Sequence, residues 1–292
     1  MKLLITGAWR QAKEHIAEIE AMGHEVVFMQ WENEEIPCDP AEIEGIVCNC
    51  LFLHHSAEPF TSLRYLQLIS AGYDRVPMDY LKSHGVKVYN AGDTYATPMS
   101  EYIIGHLLAL YQKNERDTDG SWMKCRDKQE LTGKNVCIIG TGNVAQQTAR
   151  KLQAFDCKVT AISNTPRELE HMDEVLSYDN LSTTLATSDI VVLATSPKGD
   201  HIIGASELAT MKPKAVIVNV ARGSLIDQKA LTQALKNRTI QAAILDVFEV
   251  EPLPEDDELR QLDNAILTPH TSYVGNGNDE RLWEVIKNNL EE

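Results

Sequence analysis

The chain has 292 residues, 43% hydrophobic and 24% charged, with a formal net charge of −16 at pH 7. That length accommodates two domains with real cores, and the composition excludes a disordered chain. The acidic balance argues against nucleic acid or an anionic membrane as partner, and no apolar run reaches the ~18 residues of a membrane-spanning helix.

The start, MKLLITGAWR, reads as a first strand (2–6) and not as a signal peptide. A helical stretch follows, ending at Gly23 before the strand HEVVFM. EGIVCNC (44–50) and LQLIS (66–70) are two further strands, and the helical MDYLKSH ends at Gly85 before VKVYN. Gly23 and Gly85 stand where a helix stops in a left-handed cap. Helices alternating with short apolar runs imply βαβ units and a parallel sheet.

A second series opens with Thr97 as N-cap and Pro98 as first helical residue, on a helix that carries Ile103, Ile104, Leu107, Leu108 and Tyr111 on one face. NVCIIG (135–140), KVTAIS (158–163), DIVVLAT (189–195), AVIVNV (215–220), QAAILDVF (241–248) and AILTP (265–269) are six strands with crossovers between most of them. The fold class expected is α/β with two doubly wound parallel-sheet domains and a cleft between them. A Rossmann cofactor domain (97–273) is inserted into a flavodoxin-like substrate domain (1–96 and 274–292). The six cysteines, Cys38, Cys48, Cys50, Cys125, Cys137 and Cys157, lack CxxC spacing. They read as small hydrophobes in a reducing, cytoplasmic compartment, with no metal site.

IIGTGNVA places Gly140, Gly142 and Ala145 at G-x-G-x-x-A, directly after a strand and opening a helix. The first glycine allows the turn, the second lets backbone approach a pyrophosphate, and Ala145 lets the helix pack close. Thr141, Asn143 and Val144 complete the loop, whose helix N-terminus offers free N–H groups to a diphosphate. An NAD site commonly ends the next strand with an acid that holds the ribose 2′-hydroxyl. Here Ser163, Asn164, Thr165 and Arg167 stand there instead. Small polar groups and a guanidinium suit a 2′-phosphate, so NADP is expected in preference to NAD.

Three strand ends carry reactive groups: Arg222 in VNVARGSLID, Asp246 and Glu251 in LDVFEVEPLP, and His270 in ILTPHTS. In doubly wound folds ligands bind outside the carboxyl ends of strands. These motifs, with GTGNVA, stand in the order and spacing of the D-2-hydroxyacid dehydrogenases, and LQLISAGYDRVP, MSEYIIGHLLAL and Trp122 also resemble that family. The resemblance covers nearly the whole chain.

It implies reduction of a small 2-keto acid to the D-2-hydroxy acid by hydride from the coenzyme, in a homodimer. Arg222 would clamp the substrate carboxylate and polarise the C2 carbonyl. His270 would donate a proton to the C2 oxygen, and Glu251 would bind its other ring nitrogen, favouring the imidazolium. Asp246 would accept from the nicotinamide carboxamide, Pro197 would lie against the cofactor, and backbone N–H groups of Ala71 and Gly72 would bind the substrate carboxylate. Phe52, His54 and His55, in a loop, would line the pocket for the substrate side chain. Glu249 has no such role and reads as solvated. A dinucleotide-sensing protein on the same scaffold, like the family's corepressor members, is the alternative, and formate or phosphite oxidation ranks below it. The chain departs from the family in lacking the strand-end acid, in having NVA in the phosphate loop, and in stopping within RLWEVIKNNLEE, where relatives continue.

Overall fold

The computed structural model describes residues 1–113, 128–196 and 201–291. The chain divides into two compact units, Met1–Tyr95 with Gly275–Glu292, and Ala96–Val274. In the first, β1 (Lys2–Thr6), α1 (Ala12–Ala21), β2 (Glu25–Met29), β3 (Gly45–Cys48), α2 (Leu51–His54), β4 (Tyr65–Leu68), α3 (Met78–Ser83) and β5 (Lys87–Tyr89) follow one another. The strands form one parallel sheet in the order β2-β1-β3-β4-β5, the flavodoxin-like order. β3 and β4 are buried along their whole length, as parallel strands covered on both faces must be. Alternation sorts the side chains: Leu3, Ile5 and Val47 pack with Ile19 of α1 and with Trp283 and Ile286 of the last helix (Asn278–Glu291), while Leu4, Ile46 and Leu66 pack with Leu81 of α3.

The second unit holds α4 (Ala96–Gln112), β6 (Asn135–Ile139), α5 (Asn143–Gln153), β7 (Lys158–Ile162), β8 (Glu174–Leu176), α6 (Leu181–Thr187), β9 (Ile190–Leu193), α7 (Ala205–Thr210), β10 (Val216–Asn219), α8 (Gln228–Lys236), β11 (Ala242–Leu245) and β12 (Ala265–Leu267). Its parallel sheet runs β12-β11-β10-β9-β6-β7-β8, the doubly wound order with the reversal between β6 and β9. Seven strands stand where six are expected. β8 escapes the sequence pattern because it is three residues long, has no fully buried position and forms the sheet edge. Helix α4 starts at Ala96, one residue before the expected cap. Ile138, Val192 and Val218 face α4 and α5 through Ile103, Leu107, Ala149 and Leu152. Ile139, Leu193 and Ile217 face Leu185, Leu208 and Leu231 of α6, α7 and α8.

Among the described residues no disulfide forms. Cys48, Cys137 and Cys157 are buried, Cys38 and Cys50 are half-exposed, and no cluster of ligands suits a metal ion. No described helix is long and apolar enough to cross a membrane.

Candidate active site

The loop after β6 is built around two glycines with different tasks. Gly140 has φ +118, and a Cβ there would lie 2.2 Å from the Ala194 carbonyl oxygen. Only glycine tolerates that backbone and that approach. At Gly142 no heavy atom lies within 4 Å of the Cβ position, so the loop leaves open space beside the start of α5. Gly142 is the N-cap and offers no side-chain acceptor, which leaves the first N–H groups of the helix for an anion. Thr141 is braced from two sides: its carbonyl accepts from Gln146 Nε2 at 3.0 Å, and its hydroxyl lies 3.3 Å from Ser163 Oγ. Asn143 and Val144 begin α5, and Ala145 is fully buried beneath it. This cradle fits a nicotinamide dinucleotide.

At the end of β7, Ser163 is 7% exposed, and its Oγ accepts from Thr165 N at 3.3 Å. The hydroxyl therefore shapes the turn, leaving Asn164, Thr165 and Arg167, all exposed, as the groups that can meet a ligand. Arg167 lines a pocket of about 410 Å³ together with Glu168, Leu169 and Glu174. Pro197 lies outside the described residues.

Arg222, Asp246 and His270 follow the ends of β10, β11 and β12, which are adjacent in the sheet and run in one direction. The sheet therefore delivers all three to one edge. Asn219, 1% exposed, closes the Arg222 turn: its Nδ2 donates to Arg222 O at 2.9 Å and its Oδ1 accepts from Ala221 N at 3.1 Å. The Arg222 Nη1 donates to Ala221 O at 2.8 Å. A Cβ on Gly223 would lie 1.9 Å from the carbonyl carbon of Phe248, so the Arg222 turn is packed onto the segment that leads to Glu251.

Glu251 Oε2 lies 2.7 Å from His270 Nδ1, and its Oε1 accepts from Phe248 N at 3.0 Å. Both side chains remain partly open, His270 at 38% and Glu251 at 35%. With Nδ1 engaged by the carboxylate, Nε2 is the ring atom that can meet a substrate. A pocket of about 540 Å³ opens against this pair, walled by Phe248, Leu253, Leu267 and Pro269.

His270 has φ +52, a left-handed conformation unusual for a residue with a Cβ. Asp246 holds it there. The Asp246 carbonyl accepts from His270 N at 2.9 Å, Oδ1 accepts from Thr271 N at 2.8 Å and Thr268 Oγ1 at 2.6 Å, and Oδ2 accepts from Ser272 N at 2.8 Å. Asp246 is 0% exposed. It follows the last residue of β11 instead of lying within the strand, and its carboxylate grips the histidine loop. Tyr102 of α4 extends the chain of donors, its hydroxyl 2.6 Å from Thr268 Oγ1. Burial pushes the Tyr102 phenol up to about 12, so it remains a donor at neutral pH. Glu249 is exposed, as expected; on the surface its Oε1 lies 3.0 Å from His201 Nε2 and accepts from Gln228 N at 3.2 Å.

In the first unit, Ala71 and Gly72 lie in the loop after β4. Ala71 O accepts from Asn90 Nδ2 at 2.8 Å, and neither residue's N–H donates to a described residue. Residues 51–54 form a turn of helix instead of a loop. Phe52 packs edge-on against Phe60, His54 is exposed, and His55 Nε2 lies 2.9 Å from Glu32 O. The Tyr102 and Asn219 contacts and the Asp246 grip had no counterpart in the sequence reading. Tyr102 and Thr268 are 166 residues apart, and no local pattern reports such a bond.

The sheet order, the glycine cradle and the strand-end groups define an α/β protein with a dinucleotide-binding unit. Residues 101–272 match the family model for the D-isomer specific 2-hydroxyacid dehydrogenase NAD binding domain. The chain is 36% identical over 221 residues to D-3-phosphoglycerate dehydrogenase of Methanocaldococcus jannaschii, across 73% of this chain and 42% of that one. It is 35% identical over 219 residues to hydroxypyruvate reductase of Thermotoga maritima, across 72% of this chain and 70% of that one. Its fold is similar to that of an NADPH-dependent glyoxylate/hydroxypyruvate reductase from Sinorhizobium meliloti solved with NADP and malonate, at a TM-score of 0.79 and 25% identity over 98% of this chain and 92% of that one. The chain belongs to the D-isomer specific 2-hydroxyacid dehydrogenase family, and its cofactor is a nicotinamide dinucleotide.

Proposed function

We propose that the protein reduces a small 2-keto acid to the D-2-hydroxy acid, using NADPH in preference to NADH, and that it does so as a homodimer. The observation that carries this reading is the 2.7 Å contact between His270 Nδ1 and Glu251 Oε2, on the strand-end loop beside the Arg222 turn.

When bound, the nicotinamide supplies the hydride. His270 gives the proton from Nε2 to the C2 oxygen, and Glu251 fixes the ring tautomer and offsets the charge of the protonated ring. Arg222 holds the carboxylate and polarises the carbonyl through its planar fork. Ala71 and Gly72 bind the carboxylate through backbone N–H groups. The loop 140–144 receives the diphosphate, and Asn164, Thr165 and Arg167 receive the 2′-phosphate. Asp246 acts on the reaction through the His270 loop.

The test is a panel of 2-keto acids, including glyoxylate, pyruvate and hydroxypyruvate, assayed with both coenzymes, with chirality of the product and light scattering of the purified protein. Turnover to the D-acid with a lower KM for NADPH supports the reading. A strong NADH preference overturns the coenzyme assignment. Tight coenzyme binding with no turnover of any acid favours the dinucleotide-sensing alternative.

A further inference from the structure

The first unit has a strand-end crown of its own. Its order β2-β1-β3-β4-β5 reverses between β1 and β3, where open α/β sheets bind ligands. Thr6 ends β1, and Asn49 and Cys50 follow β3. Among the described residues the acid engaged with them, Glu32, is already occupied: its Oε1 accepts from Thr6 Oγ1 and Asn49 N, each at 2.7 Å, and its Oε2 accepts from Cys50 N at 2.6 Å.

Arg75, on the loop after β4, reaches into this crown. Its Nη1 donates to Asn49 Oδ1 at 3.1 Å and contacts Cys50 Sγ at 3.4 Å. Among the described residues no carboxylate lies within ion-pair range of Arg75, and no donor bond is made by its Nε or Nη2. The side chain is half-buried. In a chain with 43 acids against 27 bases, half-buried Lys212 finds a carboxylate, Asp189, at 2.9 Å, whereas the partners of Arg75 are an amide oxygen and a thiol. Withdrawing a guanidinium from water without an anionic partner is unfavourable, and its remaining donors suit a planar or tetrahedral anion. The undonated N–H groups of Ala71 and Gly72 sit on the same loop, so one loop carries two separate anion receptors.

We propose that Arg75 binds a second anionic group of the substrate, so that the acid reduced carries a carboxylate or phosphate at the end remote from its 2-keto acid group. This rests on the reductase reading for the identity of the first anion. No bond is made or broken at Arg75; it is a specificity-determining residue.

The experiment compares kcat/KM for dianionic oxaloacetate, 2-ketoglutarate and 3-phosphohydroxypyruvate with that for monoanionic pyruvate and 2-ketobutyrate, in the full chain and in Arg75→Gln and Arg75→Lys. The wild type should favour at least one dianion, with the carboxylate and phosphate arms reporting which anion is preferred. Arg75→Gln should lower the dianion-to-monoanion ratio about 10- to 100-fold, the effect of losing one charge-assisted contact, and Arg75→Lys should restore part of it. A wild type without dianion preference, or a ratio unmoved in Arg75→Gln, overturns the proposal. If no acid is turned over, the reductase reading falls, and calorimetry of the NADPH-loaded protein still decides Arg75. Tighter binding of D-malate than of D-2-hydroxybutyrate, lost in Arg75→Gln, upholds it, and equal binding of the two overturns it.

Discussion

His270 presents Nδ1 to Glu251 Oε2 at 2.7 Å while its own backbone is held at φ +52 by the residue that follows β11. The ring is thus fixed at two points, through a carboxylate at one nitrogen and a clamped main chain. His270→Ala should lower kcat by about 10²- to 10⁴-fold, the contribution of a positioned proton donor. Glu251→Gln keeps the shape and a hydrogen-bonding group but removes the charge that offsets the protonated ring, so kcat should fall. Steady-state kinetics across pH checks both, and a His270→Ala enzyme with unaltered kcat would remove the histidine as donor.

Arg222→Lys should damage KM and kcat together. An ammonium cannot reproduce two parallel donors in a plane, and the turn that aims residue 222 is set by Asn219 whatever side chain it carries. A loss confined to KM would show that the guanidinium only binds the ground state.

Gly223 makes the Arg222 turn and the Phe248 segment one packed object. Any Cβ there would sit inside the Phe248 carbonyl, 2.0 Å from its oxygen. Gly223→Ala must therefore separate the two segments, at a cost of about 1–3 kcal/mol for an overpacked contact. Denaturant unfolding should show that loss, and kcat/KM should fall with it because Arg222 and Glu251 lie on the segments forced apart.

The parts of this arrangement that were legible in the sequence share one property: they are written in neighbouring residues. The central strands are short apolar runs, and the glycine loop stands between a strand and a helix. Arg222, Asp246 and His270 could be read because each follows its own strand within three residues, and Glu251 stands on the same run as Asp246. What stayed hidden depends on distance along the chain or on the absence of a pattern. β8 has no fully buried position to mark it. Tyr102, Thr268 and Asp246 meet only after the sheet has formed. Glu32, in the acidic run after β2, looks solvated until β3 brings Asn49 and Cys50 to it.

Asp246→Asn tests the grip on the histidine loop. The carboxylate accepts two backbone N–H bonds and one hydroxyl bond in a site closed to water. An amide places an NH₂ against at least one of those donors, which should cost about 1–3 kcal/mol. The loop that keeps His270 left-handed would relax, so kcat should fall even with coenzyme saturating. An unchanged coenzyme KM with lowered kcat identifies a positioning residue, whereas a raised coenzyme KM would point to direct contact with the nicotinamide.

Asp189 supplies a pH-dependent contribution to the stability of the dinucleotide-binding unit. It precedes β9, its Oδ2 accepts from Asn135 N at 2.9 Å, and its Oδ1 accepts from Lys212 Nζ at 2.9 Å. Burial pushes the carboxyl up, but the Asn135 N–H and the Lys212 ammonium outweigh it and hold the folded-state value below the ordinary 3.8. A depressed value means that the fold favours the ionised form. Its contribution is complete above 3.8 and is lost as pH falls through the lower, folded-state value. Asp189→Asn should therefore destabilise the protein at pH 7 by roughly 1–2 kcal/mol, the worth of hydrogen bonds to a charged group that is about a quarter exposed. The gap between variant and wild type, read from urea unfolding, should narrow as pH falls below 3.8. A gap that stayed constant down to pH 3 would mean that the carboxylate charge is not what Asn135 and Lys212 hold.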